Sequence, residues 1–476
     1  MKAKLLLLFY IFLQFGISIQ TFCTNNRSFT EKDLVTVNLA DSFKTNNKVD
    51  KVHYAELIKK EFLHAWQGYR KFAWAHDELK PLSKSYNDWY GQSLFITPVD
   101  AFDTMILMGL KKEAADAKEL ILQNLSFDKN IFVQNFEITI RLLGGLLSAF
   151  ELDGDRRFLT LAEDLGKRLL PVFNSKTGMP YVYVNLKTGE TKNEINNPAE
   201  IGTLMLEFGT LSALTRNPIY YHKAKRAVVE LFKRRSKIGL IGSEINVNTG
   251  EWVNTKSHIS GMIDSYYEYL LKSYLLFGDK DFKVMFDSSM NAVNKYLADS
   301  ANANLWYATV DMKTGEKILT TFGALDAFLP AVFCLSGDVK RAESLMESCF
   351  KMWKDFGIEP EKFDYENMNI INPQYLLRPE NVESAYYLYH FTKNEKYINI
   401  GKYYFESIVK YCKTKDAFAA LKNVTTKEKQ DIMPSFFLAE TLKYLYLLFT
   451  DEDETNFDKV IFNTEAHPLK KIHETK

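Results

Sequence analysis

Carboxylates recur in the most apolar stretches of this chain, where a buried helix ordinarily carries none: Glu137, Glu207, Asp264 with Glu268, Asp326, Glu380 with Glu383, and Glu440. Paired carboxyl groups are what hydrolysis of a glycosidic bond requires, one protonated to assist the leaving oxygen and one ionised to activate water or attack as nucleophile. Two of these positions also have plain explanations. Arg141 lies one turn after Glu137, the spacing of a helix-end ion pair, and Pro379 followed by Glu380 and Glu383 is an ordinary helix start. The others are harder to set aside. Asp264 and Glu268 share one face of DSYYEYL, so their charges repel and one should titrate high unless a cation or sugar hydroxyls intervene. Glu440, inside SFFLAETLKYLYLLF, is costly without a partner.

Competing chemistries lack their signatures. The chain has no GxSxG, no phosphate-binding GxxxxGK, no Rossmann glycine fingerprint and no HExxH, and its eight histidines are scattered without zinc-ligand spacing. Asp451-Glu452-Asp453-Glu454 resembles the opening of a calcium loop but lacks its glycine and closing Glu, and reads as a solvated acidic turn.

A repeat positions the acids. Gly154-Asp155, Asn217-Pro218, Gly278-Asp279, Gly337-Asp338 and Asn394-Glu395 punctuate the chain every 57 to 63 residues, each after one apolar helical stretch and before another. Gly or Asn ends a helix there and the chain turns into the next, which implies stacked helical hairpins. Asp264 and Glu380 both stand 14 residues before their marks, so they should share one height on two helices. Periodicity predicts fourteen helices, near 51–75, 99–110, 112–124, 135–151, 156–174, 199–215, 218–235, 259–277, 280–297, 321–336, 339–355, 379–392, 395–412 and 430–449, in seven pairs. Short β-hairpins lead from an outer helix to the next inner one, and their turns repeat: Lys187-Thr188-Gly189-Glu190, Asn248-Thr249-Gly250-Glu251, Lys313-Thr314-Gly315-Glu316. Segments such as 201–214 and 381–390 are apolar on most faces, whereas 218–235 is amphipathic and basic, which describes an inner and an outer ring. An open superhelix would need polar caps, and the final helix is too apolar for one. The expected fold is therefore all-α, a closed barrel of seven helical hairpins with short β-hairpins in the connections.

Composition narrows the partners. Lys plus Arg equals Asp plus Glu at 60 each, so no basic surplus points to nucleic acid or anionic membrane. Met1-Lys2-Ala3-Lys4 and an apolar run from Leu5 to Ile19 read as a signal peptide, with an uncleaved anchor as the alternative. The expected layout is a signal peptide at 1–23, a polar segment at 24–48 and one domain at 49–470. Export to a bacterial periplasm or the extracellular space is expected, with the ER lumen as alternative. Cys334 and Cys349 flank the turn at Gly337, where either a bridge or two buried thiols would fit. Asn26, Asn124 and Asn423 head N-x-Ser/Thr triplets.

The strings FLHAWQGYRKFAWAHDELKPLS, TPVDAFDTMILMGL, FEITIRLLGGLLSAFELDGD, AEIGTLMLEFGTLSALT, DSYYEYLLKSYLL, LLRPENVESAYYLY, MPSFFLAETLKYLYLLF and FNTEAHPL closely resemble the class I α-mannosidases, glycoside hydrolase family 47. The eight blocks stand in the family's order over roughly residues 50–470. The resemblance implies an (α/α)7 barrel and calcium-assisted, inverting hydrolysis of terminal α-1,2-linked mannose from high-mannose glycans. It makes Glu137 the proton donor, acting through water, Glu380 the base that activates the attacking water, and Asp264 a third essential acid. Glu207, Glu268, Glu383, Glu440 and Glu465 match acids holding water and sugar hydroxyls around the metal. Thr464 matches the threonine whose carbonyl and hydroxyl oxygens touch calcium, while Arg141, Arg378 and Phe436 match positions lining the sugar pocket. The C-terminal tail should plug the barrel.

Three departures qualify the transfer. Ala327 stands where the processing mannosidases carry the cysteine that pairs with the position of Cys349. That change, with HISGMIDSYYEYLLK, resembles the ER degradation-enhancing α-mannosidase-like branch, which makes a non-catalytic, lectin-like mannose-glycan binder the alternative function. Met262 replaces a specificity arginine of the strict ER processing enzyme. A monomer acting on a glycan or glycoprotein, with no nucleic acid and no membrane span after signal removal, completes the expectation.

Overall fold

A computed structural model describes residues 48–450 and 455–472. The stretch read as a signal peptide, most of the polar segment expected after it and the acidic run at 451–454 lie outside the described residues. In chain order the ring helices are α1 (Lys51–Phe72), α2 (Phe102–Leu107), α3 (Lys111–Asn124), α4 (Gly144–Asp153), α5 (Arg156–Leu169), α6 (Met205–Thr215) and α7 (Ile219–Lys233). They continue with α8 (Asp264–Phe277), α9 (Lys280–Tyr296), α10 (Leu329–Ser336), α11 (Val339–Phe356), α12 (Glu380–Thr392), α13 (Glu395–Cys412) and α14 (Leu442–Phe449). Even-numbered helices form the inner ring, each touching the next, and α14 meets α2 through the turn at 437–441, so the ring closes. Odd-numbered helices pack outside them.

The seventh pair is not a sequential hairpin. Helix α1 packs along α14, so the first and last helices of the domain join to complete the barrel. This answers the capping problem, because the apolar final helix is covered on its outer side by α1. The two rings differ as their sequences require. Every residue from Met205 to Ser212 of α6 is buried, while α5 buries Phe158, Leu159, Ala162, Leu165 and Leu169, one stripe at helical spacing.

At three marks the expectation is met in detail. Gly154, Gly278 and Gly337 take left-handed φ of 84°, 70° and 88° and end the inner helix, and Asp155, Asp279 and Asp338 cap the outer helix by accepting from backbone N–H groups. The Asn marks work differently. The left-handed residues are Arg216 (φ 56°) and Lys393 (φ 52°), one position earlier, and Asn394 caps α13 by accepting from the Lys396 N–H. Asn therefore starts the outer helix here instead of ending the inner one, a role its short acceptor side chain performs well.

The β-hairpins form a second repeat. Three-stranded antiparallel sheets join the strand that enters one inner helix to the hairpin that precedes the next, as when 132–134 pairs with 183–185, which pairs with 191–192. Asn185, Asn246, Asp311 and Asn423 each accept two backbone N–H groups within their turn, at 2.8 to 3.1 Å. The sheets thus stitch neighbouring hairpins at the end where the inner helices begin. Cys334, Cys349 and Cys412 are all buried free thiols, which decides against a bridge between the first two. Among the described residues no helix is long and apolar enough to cross a membrane.

Candidate active site

Asp264 and Glu380 are the first residues of α8 and α12, the common height that the repeat predicts. They open onto a cavity of about 310 Å3 at the N-terminal ends of the inner helices. Eleven of the twelve residues to which the resemblance gives a site role line it: Glu137, Arg141, Asp264, Glu268, Arg378, Glu380, Glu383, Phe436, Glu440, Thr464 and Glu465. Glu207 does not. Its carboxylate is wholly buried behind the cavity, where Oε1 accepts from Tyr269 Oη at 2.6 Å and Asn463 Nδ2 at 2.8 Å. The expected contact with sugar is replaced by support of the C-terminal turn.

That turn arrives from the opposite end. A hairpin of 460–462 and 468–470 is tied to the ends of the inner helices by Lys470 N–H to Glu151 Oε2 at 2.7 Å and Ile472 N–H to the Leu276 carbonyl at 3.1 Å. Its tip reaches the second turn of α8, where Thr464 N–H donates to Tyr269 Oη at 3.2 Å. The tail plugs the ring and places Thr464 and Glu465 in the cavity.

Charge pairing explains how so many acids coexist. Arg141 donates Nε to Glu137 Oε2 at 2.8 Å, pairs through Nη1 with Glu465, and lies 3.6 Å from Asp100. The helix-end ion pair and the cavity position of Glu137 are therefore both present. Arg378 is clamped by Glu361, with Nε to Oε1 at 3.1 Å and Nη2 to Oε2 at 3.1 Å. Both guanidinium groups face the Phe436 ring, at 5.7 and 5.4 Å from its centroid. Lys272, 1% exposed, pairs with Glu268 and lies 3.8 Å from Glu383.

What remains is an excess of enclosed negative charge. Burial pushes Glu380 up to about 8, opposed by Arg378. It pushes Asp264 up to about 6, with Glu268 adding to the rise, and Glu383 to about 7 against the pull of Lys272. Asp326, outside the cavity, rises to about 7 for the same reason and accepts from the Gly323 N–H at 2.9 Å. Glu440 is 6% exposed and takes no protein hydrogen bond among the described residues; burial, Glu380 and Glu383 all hold it well above the usual range. Backbone geometry is also unusual. Arg141 and Glu440 sit in single π-turns, Thr139–Leu143 and Phe437–Thr441, and Met262 and Leu377 beside the cavity have φ of 78° and 65°. Such features concentrate where side chains are aimed for function.

The donor set fits a hard divalent cation. Neither the hydroxyl nor the carbonyl oxygen of Thr464 takes a protein hydrogen bond among the described residues, and the surrounding carboxylates could hold its water shell. Among the described residues no group of three or more His, Cys, Asp or Glu side chains forms a metal site by itself.

Sequence reasoning missed Glu361, Lys272, Lys443, His467, Asp100 and Asp103. Asp100 and Asp103 lay inside the TPVDAFDTM string, yet they are buried at 0% and 1% and face His467, more than 300 positions away.

A closed double ring of helices with an acid-lined cavity at one end and a plug at the other defines a helical-barrel glycosidase. The model of glycosyl hydrolase family 47 matches residues 61–471, and the chain belongs to that family. It is 37% identical over 469 residues to alpha-mannosidase I MNS5 of Arabidopsis thaliana, covering 92% of this chain and 80% of that protein. It is 36% identical over 455 residues to ER degradation-enhancing alpha-mannosidase-like protein 2 of Mus musculus, covering 88% and 78%. The alpha-1,2-mannosidase from Trichoderma reesei superposes with a TM-score of 0.83 at 28% identity over 88% of this chain and 99% of that one. The barrel is thus of the (α/α)7 type, and the chain is a glycosidase of the α-mannosidase family. These plant and animal relatives lend no support to the bacterial periplasm expected from the sequence.

Proposed function

We propose that this chain is a calcium-dependent exo-α-1,2-mannosidase that removes terminal mannose from high-mannose N-glycans with inversion, in the secretory pathway. The observation that carries the reading is the convergence of Glu137, Asp264 and Glu380 on one cavity whose far side is filled by Thr464 and Glu465. A cavity plugged at one end admits the end of a glycan chain, which favours removal of terminal residues.

Glu137 keeps a side chain 24% exposed and is oriented by Arg141; in its protonated form it would pass its proton through water to the leaving oxygen. Glu380 takes the proton of the attacking water, and for that it must be ionised. Burial opposes ionisation and Arg378, locked by Glu361, favours it. Asp264, within reach of the Arg378 charge, shares the same field. Thr464 would hold calcium through its two oxygens, with Glu268, Glu383, Glu440 and Glu465 ordering water and sugar hydroxyls around it. Bound calcium would supply positive charge that lowers the neighbouring carboxyls and fixes the hydroxyls.

Purified protein should release mannose from an α-1,2-mannobioside with calcium and lose that activity in EDTA. Glycan binding without release in either condition would favour the lectin-like alternative.

A further inference from the structure

The cavity depends on a turn, 463–467, that belongs to no ring helix, and the polar groups gripping that turn are buried to an unusual degree. His467 is 0% exposed and both ring nitrogens face carboxylates: Nδ1 lies 2.7 Å from Asp103 Oδ2 and Nε2 lies 3.1 Å from Asp100 Oδ1. Two acceptors on two nitrogens fit the doubly protonated ring, since neutral imidazole offers one donor only. Lys443, also 0% exposed, pairs with Asp103 Oδ1 at 2.7 Å and donates to the Ala466 carbonyl at 2.6 Å. Ala466 stands at φ 58°, a left-handed conformation that alanine resists unless its surroundings impose it. Asn463 completes the grip. Its Oδ1 accepts from Glu465 N–H at 2.9 Å and His467 N–H at 2.8 Å, and its Nδ2 donates to the Ile140 carbonyl at 2.9 Å.

Two further observations show that the barrel accommodates this grip. A Cβ on Gly144 would lie 2.6 Å from Asn463 Nδ2 and 3.1 Å from His467 Cδ2, so a side chain there would push the turn out. Asp100 also lies 3.6 Å from Arg141 Nη1, which links the grip to the guanidinium holding Glu137 and Glu465.

We propose that His467 and Lys443 are positioning residues: clamped by Asp100 and Asp103, they hold the Thr464–Glu465 turn in the geometry that binds a divalent cation. The inference rests on the calcium reading above. Partners of this kind beyond the metal contacts typically change metal affinity 10- to 100-fold when removed. None of Asp100, Asp103, Lys443, Asn463 and His467 lines the cavity, so loss of the grip should raise the calcium requirement while leaving turnover nearly intact once calcium saturates.

Thermal unfolding of the whole chain, stripped with EDTA and titrated with CaCl2, separates the possibilities. His467→Gln should need about 10- to 100-fold more calcium for half-maximal stabilisation, and saturating calcium should return most of kcat. Asp103→Asn preserves shape while removing the charge shared by His467 and Lys443, and should shift the calcium requirement the same way should His467→Gln fail to fold. A lowered Tm in EDTA with an unchanged calcium requirement would make the grip merely structural and overturn the proposal. No calcium-dependent stabilisation of the wild-type chain would overturn the calcium reading itself, and the clamp's role with it.

Discussion

Replacing Lys272 by Met tests whether enclosed charge pairing, and not packing alone, holds the floor of the cavity together. Lys272 is 1% exposed and is the cation shared by Glu268, which is 4% exposed, and Glu383, 3.8 Å away. Methionine keeps most of the volume and the packing against Tyr387 but leaves two carboxyls facing each other. Removing one partner of a buried ion pair destabilises by about 3–5 kcal/mol, because an uncompensated charge stays behind. For a folded unit of roughly 420 residues, with unfolding entropy near 2.1 cal/mol/K per residue, that becomes a fall in Tm of about 3–6 °C. The deficit should depend on pH. Glu383 already titrates near 7 with Lys272 present, and it titrates higher without it, so acidification protonates this stranded partner and relieves the penalty. Differential scanning fluorimetry in EDTA should show a larger loss at pH 8 than at pH 5.5. Adding Glu268→Gln to the variant should recover part of the loss at pH 8, since the stranded charge is then removed. An unchanged Tm at pH 8, or a loss that does not vary with pH, would refute the account of Lys272 as a neutralising group.

Three other outcomes are expected. Glu380→Gln should lower kcat by about 10²- to 10⁴-fold, the usual reach of a general base, while glycan affinity measured by calorimetry stays close to wild type; an active variant would remove Glu380 from that role. Glu361→Gln should weaken the fork that locks Arg378, cost about 1.5–3 kcal/mol of stability at most, and lower kcat/KM without changing the fold seen by circular dichroism. Metal-free protein should lose stability between pH 5.5 and pH 8. Asp264, Glu207, Glu383 and Glu380 titrate near 6, 7, 7 and 8 when folded, above their unfolded values. The folded state therefore binds more protons over that window, and stability falls as pH rises through it. A Tm that climbs from pH 5.5 to 8 in EDTA would contradict those shifts.

The ring was largely legible because helix ends leave local marks. Gly followed by Asp is both a left-handed terminator and a cap for the next helix, and that dipeptide recurs at three of the five turns. Asn217 and Asn394 fell at the right place for a different reason, since Asn can either end or begin a helix. The acids were legible too, because a carboxylate in an apolar helix stands out against its surroundings. The resemblance then supplied roles that spacing alone could not.

What escaped was long-range. Lys272 reads as the ordinary basic residue of DSYYEYLLK until Glu383 is brought beside it across the ring. His467 was one of eight scattered histidines until the tail folded back onto Asp100 and Asp103. Glu207 shows the converse, an acid in the right kind of helix whose carboxylate turns to Asn463 and Tyr269 and away from the cavity. The π-turns at Arg141 and Glu440 add one residue to a helical turn, a distortion that leaves no mark in hydrophobic periodicity.

The most direct test follows the anomeric proton of released mannose by NMR during hydrolysis of an α-1,2-mannobioside. The account predicts that β-mannose appears first in the presence of calcium and that EDTA stops its release. Release of α-mannose first, or release indifferent to EDTA, would contradict it.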